Sequence, residues 1–481
     1  MAGLQDGSRA RERIMSFLDA GSFQELATEG AGAGSALIAG IGLANGEMVC
    51  VFSQEPAIHG GSLGVGEGAQ IKALQSIALT RAIPLVGIWD GGGARIQEGI
   101  GALAAFGELF QGIIKLRQQV PQLSIIVGPC AGGSCYSPAL TDYIIMVNNT
   151  SQMFLTGPQI TRELTGENVS AEELGGCALH NSVSGVAHYA ANTEQEAFSY
   201  ARKLLTYLRD VAQNPAPPEL AKLEIPKSPA QPYDMRIILA AIFDANSILE
   251  VQPAFAPNLI TAYARLAGQP LAIVASQPMY LAGALDARAA TKGSRFINTN
   301  SNLGLPIITF VDVPGFLPGI EQEQSGIIRI GADLVTAYVN ANVPRITVIT
   351  RKAFGGAYIA LGSKALDNRQ IVCAWPNAEI GIMGAEAAIN LISRRELQRI
   401  TTALGTNAAE ARRAELIANY QQTQSAEAAR MVGQIDAIID PPNTRAFLCD
   451  ALLGTANDAH SVRDTSGQSH GFPACIRQEN E

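Results

Sequence analysis

The residues whose type and spacing can do chemistry are two glycine pairs. In LSIIVGPCAGGSCYSPALTD (123–142) the β-branched, apolar run Leu123 to Val127 reads as a buried strand. Gly128-Pro129 is expected to stop it, and Gly132-Gly133 to open a helical segment. Consecutive glycines at such an elbow leave backbone N–H groups uncovered by any Cβ, so an oxygen carrying negative charge can reach them. The chemistry on offer is an oxyanion hole, in which one well-placed donor is worth roughly 3–4 kcal/mol of transition-state stabilisation. For a single pair, a tight turn whose glycines serve only packing explains the pattern too.

The element recurs. TVITRKAFGGAYIALG (347–362) again runs from a β-branched strand through a polar turn into Gly355-Gly356, 223 positions after the first pair. Phe52-Ser53-Gln54 returns as Ala275-Ser276-Gln277, and PLVGIWD (84–90) as PIITFVD (306–312), at that offset to within one residue. A repeat of this length is a duplicated domain, so two similar α/β domains are expected, each with its own elbow. Two holes suit a reaction with two oxyanions.

Fewer side chains qualify. Arg95, after Gly91-Gly92-Gly93, can anchor a phosphate or carboxylate, or can close a salt bridge with Glu98. His59-Gly-Gly-Ser-Leu-Gly64 could cradle a phosphate, but fits neither the P-loop nor GxGxxG. Cys130 and Cys135 flank the first pair without a neighbouring base, and read as small buried hydrophobes rather than nucleophiles. The seven cysteines contain no CxxC and the five histidines no HExxH, so neither a disulfide framework nor a metal site is expected.

The elements that must position these residues follow from the pattern. Ser8 to Leu18 reads as an amphipathic helix, Glu29 to Gly34 as a hinge, and Asn45-Gly46 as a hairpin turn. Helices are expected at 71–82, up to Leu116, and at 194–208, 286–302, 323–341, 408–419 and 426–431. The expected domains are 1–213, a proline-rich linker at 214–232, and 233–481 with a polar, mobile tail from about 457. Strand periodicity alone leaves a doubly wound sheet open. With 481 residues, 47% of them hydrophobic, the chain can bury two cores. A net charge of −9 argues against a nucleic-acid binder. The lack of an 18-residue apolar run, or of a hydrophobic signal core in MAGLQDGSRARER, points to a cytoplasmic protein without a membrane partner.

HGGSLG (59–64), GGGARIQEG (91–99), GPCAGGSCYSPALTD (128–142), ELGG…H…SGVAH (173–188), QPYDM (231–235), FVDVPGFLPG (310–319), GIIRIGA (326–332), TRKAFGGAY (350–358) and WPNAEIGIMG (375–384) run in one order along residues 8 to 445. In these motifs the chain resembles the carboxyltransferase β subunits of biotin-dependent acyl-CoA carboxylases, of the propionyl-CoA/acetyl-CoA type. The resemblance implies two tandem crotonase-like (ClpP/crotonase) ββα-spiral domains. It also implies a homohexamer whose active sites lie between the N-domain of one subunit and the C-domain of another. The implied reaction moves a carboxyl group from carboxybiotin to the α-carbon of a short-chain acyl-CoA, giving malonyl-CoA or methylmalonyl-CoA type products. Negative charge then develops on the thioester oxygen and on the biotin ureido oxygen. Both need donors, and neither needs a side-chain base or a metal.

Carried over by position, Gly132 and Gly133 form the hole for the acyl-CoA thioester, and Gly356 and Ala357 the hole for biotin. Ile359 occupies the position of the family's acyl-pocket residue, or simply packs its helix. Gly92, Gly93 and Arg95 are implied to help bind substrate. No Met-Lys-Met sequence is present, so biotin is expected on a separate biotin carboxylase/biotin carrier partner. The chain departs from the family in the short 29–34 segment, in Gly91-Gly92-Gly93, in Cys135 and in the ending Ser469 to Glu481. Two further readings remain: a decarboxylase or transcarboxylase subunit running the same site in reverse, and a non-catalytic assembly subunit that kept the fold, against which the intact pair of holes argues. The acyl group, its carrier and the direction of transfer stay open at this level.

Overall fold

The structure is a computed structural model that describes residues 7–27, 34–209, 211, 213–218 and 231–463, with side chains described as far as 454. Most of the hinge expected at 29–34, most of the linker expected at 214–232 and the tail beyond 463 therefore lie outside the described residues. The chain divides into two compact units, Met1–Val211 with Val251–Phe255, and Ala212–Glu250 with Ala256–Glu481.

The first unit is built on strands β1 (Gln24–Glu25), β2 (Leu37–Ala44), β3 (Glu47–Gln54), β4 (Leu85–Gly91), β5 (Gln122–Ala131), β6 (Tyr143–Val147), β7 (Gln152–Phe154) and β8 (Tyr189–Ala191). They follow one another across the sheet in the order β1-β2-β3-β4-β5-β6-β8, with β7 also paired to β5. The β2–β3 hairpin is antiparallel and every pairing from β3 onward is parallel. Each crossover thus adds a strand at the same edge. A doubly wound sheet would reverse its order at a switch point, and no reversal occurs here.

The second unit repeats the plan with β9 (Leu249–Val251), β10 (Leu259–Leu266), β11 (Gln269–Ser276), β12 (Ile307–Val313), β13 (Arg345–Phe354), β14 (Ile371–Ala374), β15 (Glu379–Gly381) and β16 (Ala437–Ile438). Its order is β9-β10-β11-β12-β13-β14-β16, with β15 on β13. Even the irregularity repeats: the register shifts between Trp89 and Gly91 on β4, and between Val311 and Val313 on β12.

The hairpin turns show why the duplicated sequence folds twice alike. Asn45 and Gly46 take φ of 55° and 80°, Ala267 and Gly268 φ of 51° and 83°, as a two-residue turn requires. Asp19 accepts from the N–H groups of Asn45 (3.2 Å) and Gly46 (2.7 Å) and from Arg202 (2.6 Å). Asp244 accepts from Ala267 (3.1 Å), Gly268 (2.7 Å) and Arg445 (2.6 Å). The Gly46 N–H, ahead of Arg202, holds the Asp19 carboxyl below its usual range.

Each sheet packs against a buried apolar cluster. In the first, Phe52 and Trp89 meet edge to face at 5.1 Å, and Trp89 Nε1 donates to Ser124 Oγ at 3.1 Å. In the second, Trp375 Nε1 finds Thr444 Oγ1 at 3.0 Å, so neither indole buries an unpaired donor.

One expectation needs correction: β5 does not stop at Gly128-Pro129 but runs to Ala131. After β6 leaves it at Ile126, β5 pairs with β7 over Pro129 to Ala131. A change of partner carries the strand past two residues that ordinarily break one. The final helix Thr444–Arg463 likewise runs past 457, where a tail was expected to begin.

Candidate active site

Three loops meet beyond the carboxyl ends of β3, β4 and β5, where parallel sheets present their ligand sites. Gly92 N donates to Gly60 O (3.0 Å), Leu63 N to Gly93 O (2.9 Å) and Arg95 N to Leu63 O (2.8 Å), so the HGGSLG and triple-glycine loops are laced together. Gln54 ties both to the sheet, accepting from Asp90 N and donating to Gly61 O, each at 2.8 Å. The glycines are needed for contact. A Cβ on Gly61 (φ +69°) would stand 2.1 Å from Asp90 O, and one on Gly93 (φ +98°) 2.7 Å from Ala131 O. Gly93 therefore rests against the residue that precedes the first glycine pair.

The pair opens a short 3₁₀ turn, Gly132–Cys135, that leads into the helix Tyr136–Leu140. Gly132 has φ +65°, which disfavours a side chain there. No protein atom lies within 4 Å of a Cβ on either glycine, and Gly133 is exposed. The N–H groups of this first turn have no acceptor in a preceding turn. They form a donor pair under open space, as an oxyanion hole demands.

The flanking cysteines are occupied. Cys135 Sγ donates to Cys130 O (2.6 Å) and Phe154 O (3.2 Å). Contact with Cys135 and full burial push the Cys130 thiol well above its usual range.

In the second unit, Gly355 (φ +62°), Gly356 and Ala357 begin the helix Gly355–Ala360 directly after β13. Gly356 is exposed, the nearest atom to its would-be Cβ being Phe316 at 4.0 Å, while Ala357 is buried. The supporting loops are laced as in the first unit: Leu285 N donates to Gly315 O (3.1 Å) and Leu317 N to Leu285 O (2.7 Å). Ile359, two residues after Ala357, is 43% exposed on that helix.

Arg95 is engaged inside the protein. Its Nη2 donates to Ser62 O (2.8 Å) and Glu67 Oε1 (2.7 Å), its Nη1 to Glu98 Oε1 (2.9 Å). The Glu98 partner is the alternative read from the sequence; Glu67 was not foreseen, because it lies one helix earlier. Glu67 also accepts from Ala36 N (3.0 Å) and Gly64 N (2.9 Å), so Arg95 locks the start of the helix Val65–Arg81 beneath the loops. The structure thus gathers Gly92, Gly93, Arg95, Gly132 and Gly133 in the first unit, and Gly356, Ala357 and Ile359 in the second. Gln54, Asp90 and Asp312, which brace these loops, were not foreseen, although all three stood in the very segments that revealed the duplication. Among the described residues no cluster of three His, Cys, Asp or Glu side chains is placed to hold a metal, and no helix is long and apolar enough to cross a membrane.

The chain is 44% identical to the propionyl-CoA carboxylase beta chain of Saccharopolyspora erythraea, over 94% of this chain and 88% of that one. It is 42% identical to the methylmalonyl-CoA decarboxylase subunit alpha of Veillonella parvula, over 93% and 90%. Among solved structures, the transcarboxylase 12S hexamer with methylmalonyl-coenzyme A bound superposes with a TM-score of 0.86 at 39% identity, covering 98% of this chain and 91% of that one. These likenesses agree with two tandem crotonase-like domains. The family described as the carboxyl transferase domain matches residues 5–464, and the chain, with its two glycine elbows in equivalent register, belongs to that family of carboxyltransferases.

Proposed function

We propose that this chain transfers a carboxyl group from carboxybiotin, borne by a separate carrier protein, to the α-carbon of a short-chain acyl-CoA. The observation that carries the reading is the repeated elbow: Gly132-Gly133 and Gly355-Gly356 each begin a helical turn at the end of a central parallel strand, with Gly133 and Gly356 exposed. Gly132 and Gly133 stabilise the thioester oxyanion on the acyl-CoA side, and Gly356 and Ala357 the ureido oxygen on the biotin side. The open space over Gly356 fits such a planar oxygen acceptor. Carboxybiotin, when bound, supplies the carboxyl group and a base for the α-proton; the chain's own task is to bind, orient and hold charge.

Gly92 and Gly93 bring the loop close to substrate, and Arg95 keeps its shape. The likeness to the transcarboxylase 12S hexamer supports a homohexamer, and the same reading takes a biotin carboxylase/carrier partner and a cytoplasmic setting. The same geometry serves the reverse direction, which the Veillonella relative favours. Incubating the chain with carboxylated carrier and acetyl-, propionyl- or butyryl-CoA, and measuring carboxylated product, tests the assignment; no transfer to any of them would defeat it.

Ile359 is proposed to line the acyl pocket. An apolar wall separates chains that differ by one methylene by only about 1–3 kcal/mol. Modest discrimination among acetyl, propionyl and butyryl groups is expected, with ratios of kcat/KM that change in Ile359→Asp. Unchanged ratios in an active variant would mean that the side chain faces elsewhere.

A further inference from the structure

The two units neutralise one equivalent buried carboxylate from different elements. Asp90 and Asp312 sit inside the repeated register shift, since Trp89 pairs Ile126 and Gly91 pairs Cys130, as Val311 pairs Ile349 and Val313 pairs Ala353. In the second unit, the strand that runs into the elbow serves Asp312 directly. Arg351 Nε lies 2.9 Å from Oδ2, and Lys352 N donates to Oδ1 at 3.2 Å. Strand register makes Gly128 and Pro129 the equivalents of these two residues, Pro129 pairing Gln152 as Lys352 pairs Glu379. Gly128 has no side chain and Pro129 no N–H, so neither contact is available to Asp90. Asp90 instead packs onto Gly128, whose Cβ would stand 2.0 Å from Oδ1, and receives Arg13 Nη1 at 2.8 Å.

Arg13 comes from the helix Arg9–Phe17, which the second unit also repeats. Ala10, Arg13, Ile14 and Phe17 are buried on one helix, Met235, Ile238, Leu239 and Ile242 at the same spacing on Met235–Ile242. The clamps Asp19 and Asp244, which follow the two helices, fix that alignment. Where the first helix carries Arg13, the second carries Ile238, and the strand supplies the cations instead, Arg351 and, with Nζ 3.5 Å from Oδ1, Lys352. Arg13 is itself buried and held by Glu194, at 2.8 Å from Nη2 and 3.1 Å from Nε.

We propose that Arg13 is a positioning residue of the first oxyanion elbow, the counterpart of Arg351 in the second. Without it, Asp90 is an uncompensated charge in a dry site, pressed on β5 four residues before Gly132 and hydrogen-bonded through its own N–H to Gln54. The carboxylate must then turn or draw in water, and the Gly91–Gly93 loop and the donor pair move with it. This inference rests on the reading of the glycine elbows as catalytic holes.

The test uses the assembled enzyme with its carboxylated carrier and separates two rates: transfer to acyl-CoA, and decarboxylation of the carrier without acyl-CoA. Arg13→Leu is expected to lower kcat for transfer by roughly tenfold to a hundredfold, the cost of an ångström-scale misplacement, and to leave the acyl-CoA-independent rate unchanged. Arg351→Leu should lower both rates together, because transfer also needs carboxybiotin to lose its carboxyl at the second hole. Arg13→Leu with Asp90→Asn should recover most of the loss, because no orphan charge remains at the elbow, and the part-exposed Glu194 keeps Arg9 at 3.3 Å. If Arg13→Leu does not assemble, this double variant and Arg13→Lys, with a smaller loss of the same kind, carry the test. An exchange of these two patterns, both rates lowered in Arg13→Leu with recovery in the double variant and transfer alone lowered in Arg351→Leu, would uphold the positioning role and reverse the assignment of the holes. Arg13→Leu with both rates normal, or both reduced in step without recovery in the double variant, overturns the inference. Normal turnover in Gly133→Pro would overturn the hole reading itself, and this inference with it.

Discussion

At the scale of single residues, the donors are backbone groups, so their test must alter the backbone. Gly133→Pro removes one N–H from the first hole; transfer should fall by at least about a hundredfold in single-turnover assays of the folded variant. Gly133→Ala keeps the N–H and meets no protein atom within 4 Å, so its loss should be the smaller of the two. Asp142 gives a different prediction. Its Oδ2 accepts from Gln122 N at 2.8 Å, but burial outweighs that bond and the Arg117 charge, and raises its pKa to about 7 from 3.8. A carboxyl whose pKa is raised by folding contributes stability that is complete below 3.8 and lost as pH climbs through about 7. Asp142→Asn, which can still accept from Gln122, should therefore raise Tm near pH 8 and give no gain near pH 4, as scanning calorimetry at the two pH values would show.

At the scale of elements, the triple-glycine loop is not uniformly glycine for one reason. Gly93 combines φ +98° with a would-be Cβ 2.7 Å from Ala131 O, whereas the nearest atom at Gly92 is Gly60 O at 3.8 Å. Gly93→Ala should cost roughly 1–3 kcal/mol in urea unfolding and depress transfer, while Gly92→Ala should keep its stability. These strain differences were invisible in the string GGG, as was the lacing of one loop to the other. Much else was legible. The β-branched strands, the Asn45-Gly46 hairpin and the duplicated glycine pairs follow from local pattern, because local pattern is what made them. The winding of the sheet was not legible, since a strand-helix repeat looks the same whichever edge each new strand joins. Nor was the run of β5 through Gly128-Pro129, which depends on β7 arriving as a second partner. Arg95 was foreseen as a site residue with two readings, and its geometry places it under the loops, held by an acid from a different helix.

At the scale of the whole molecule, the first unit leaves Ile96, Ile100 and Leu103 exposed at 89%, 86% and 69%, the last two one turn apart on the helix Ile100–Leu116 and Ile96 in the turn just before it. A cluster of this kind on a protein proposed to form a homohexamer is expected to be covered in the assembly. Ile100→Asp with Leu103→Asp should lower the mass seen by light scattering and abolish transfer together; a full-mass, active variant would place the interface elsewhere. The duplication also has a history written into it. An arginine on the strand and an arginine on the helix are two solutions to one buried carboxylate, and a chain can pass between them only through a form that holds both or neither. The first route is the passable one, since a form with both cations lets either be lost, and where the strand cation is lost the carboxylate itself can fill the space. Positions 13 and 128 should accordingly covary across relatives: lineages that keep a cation at 128 are free to vary at 13, and those with glycine at 128 are bound to arginine there.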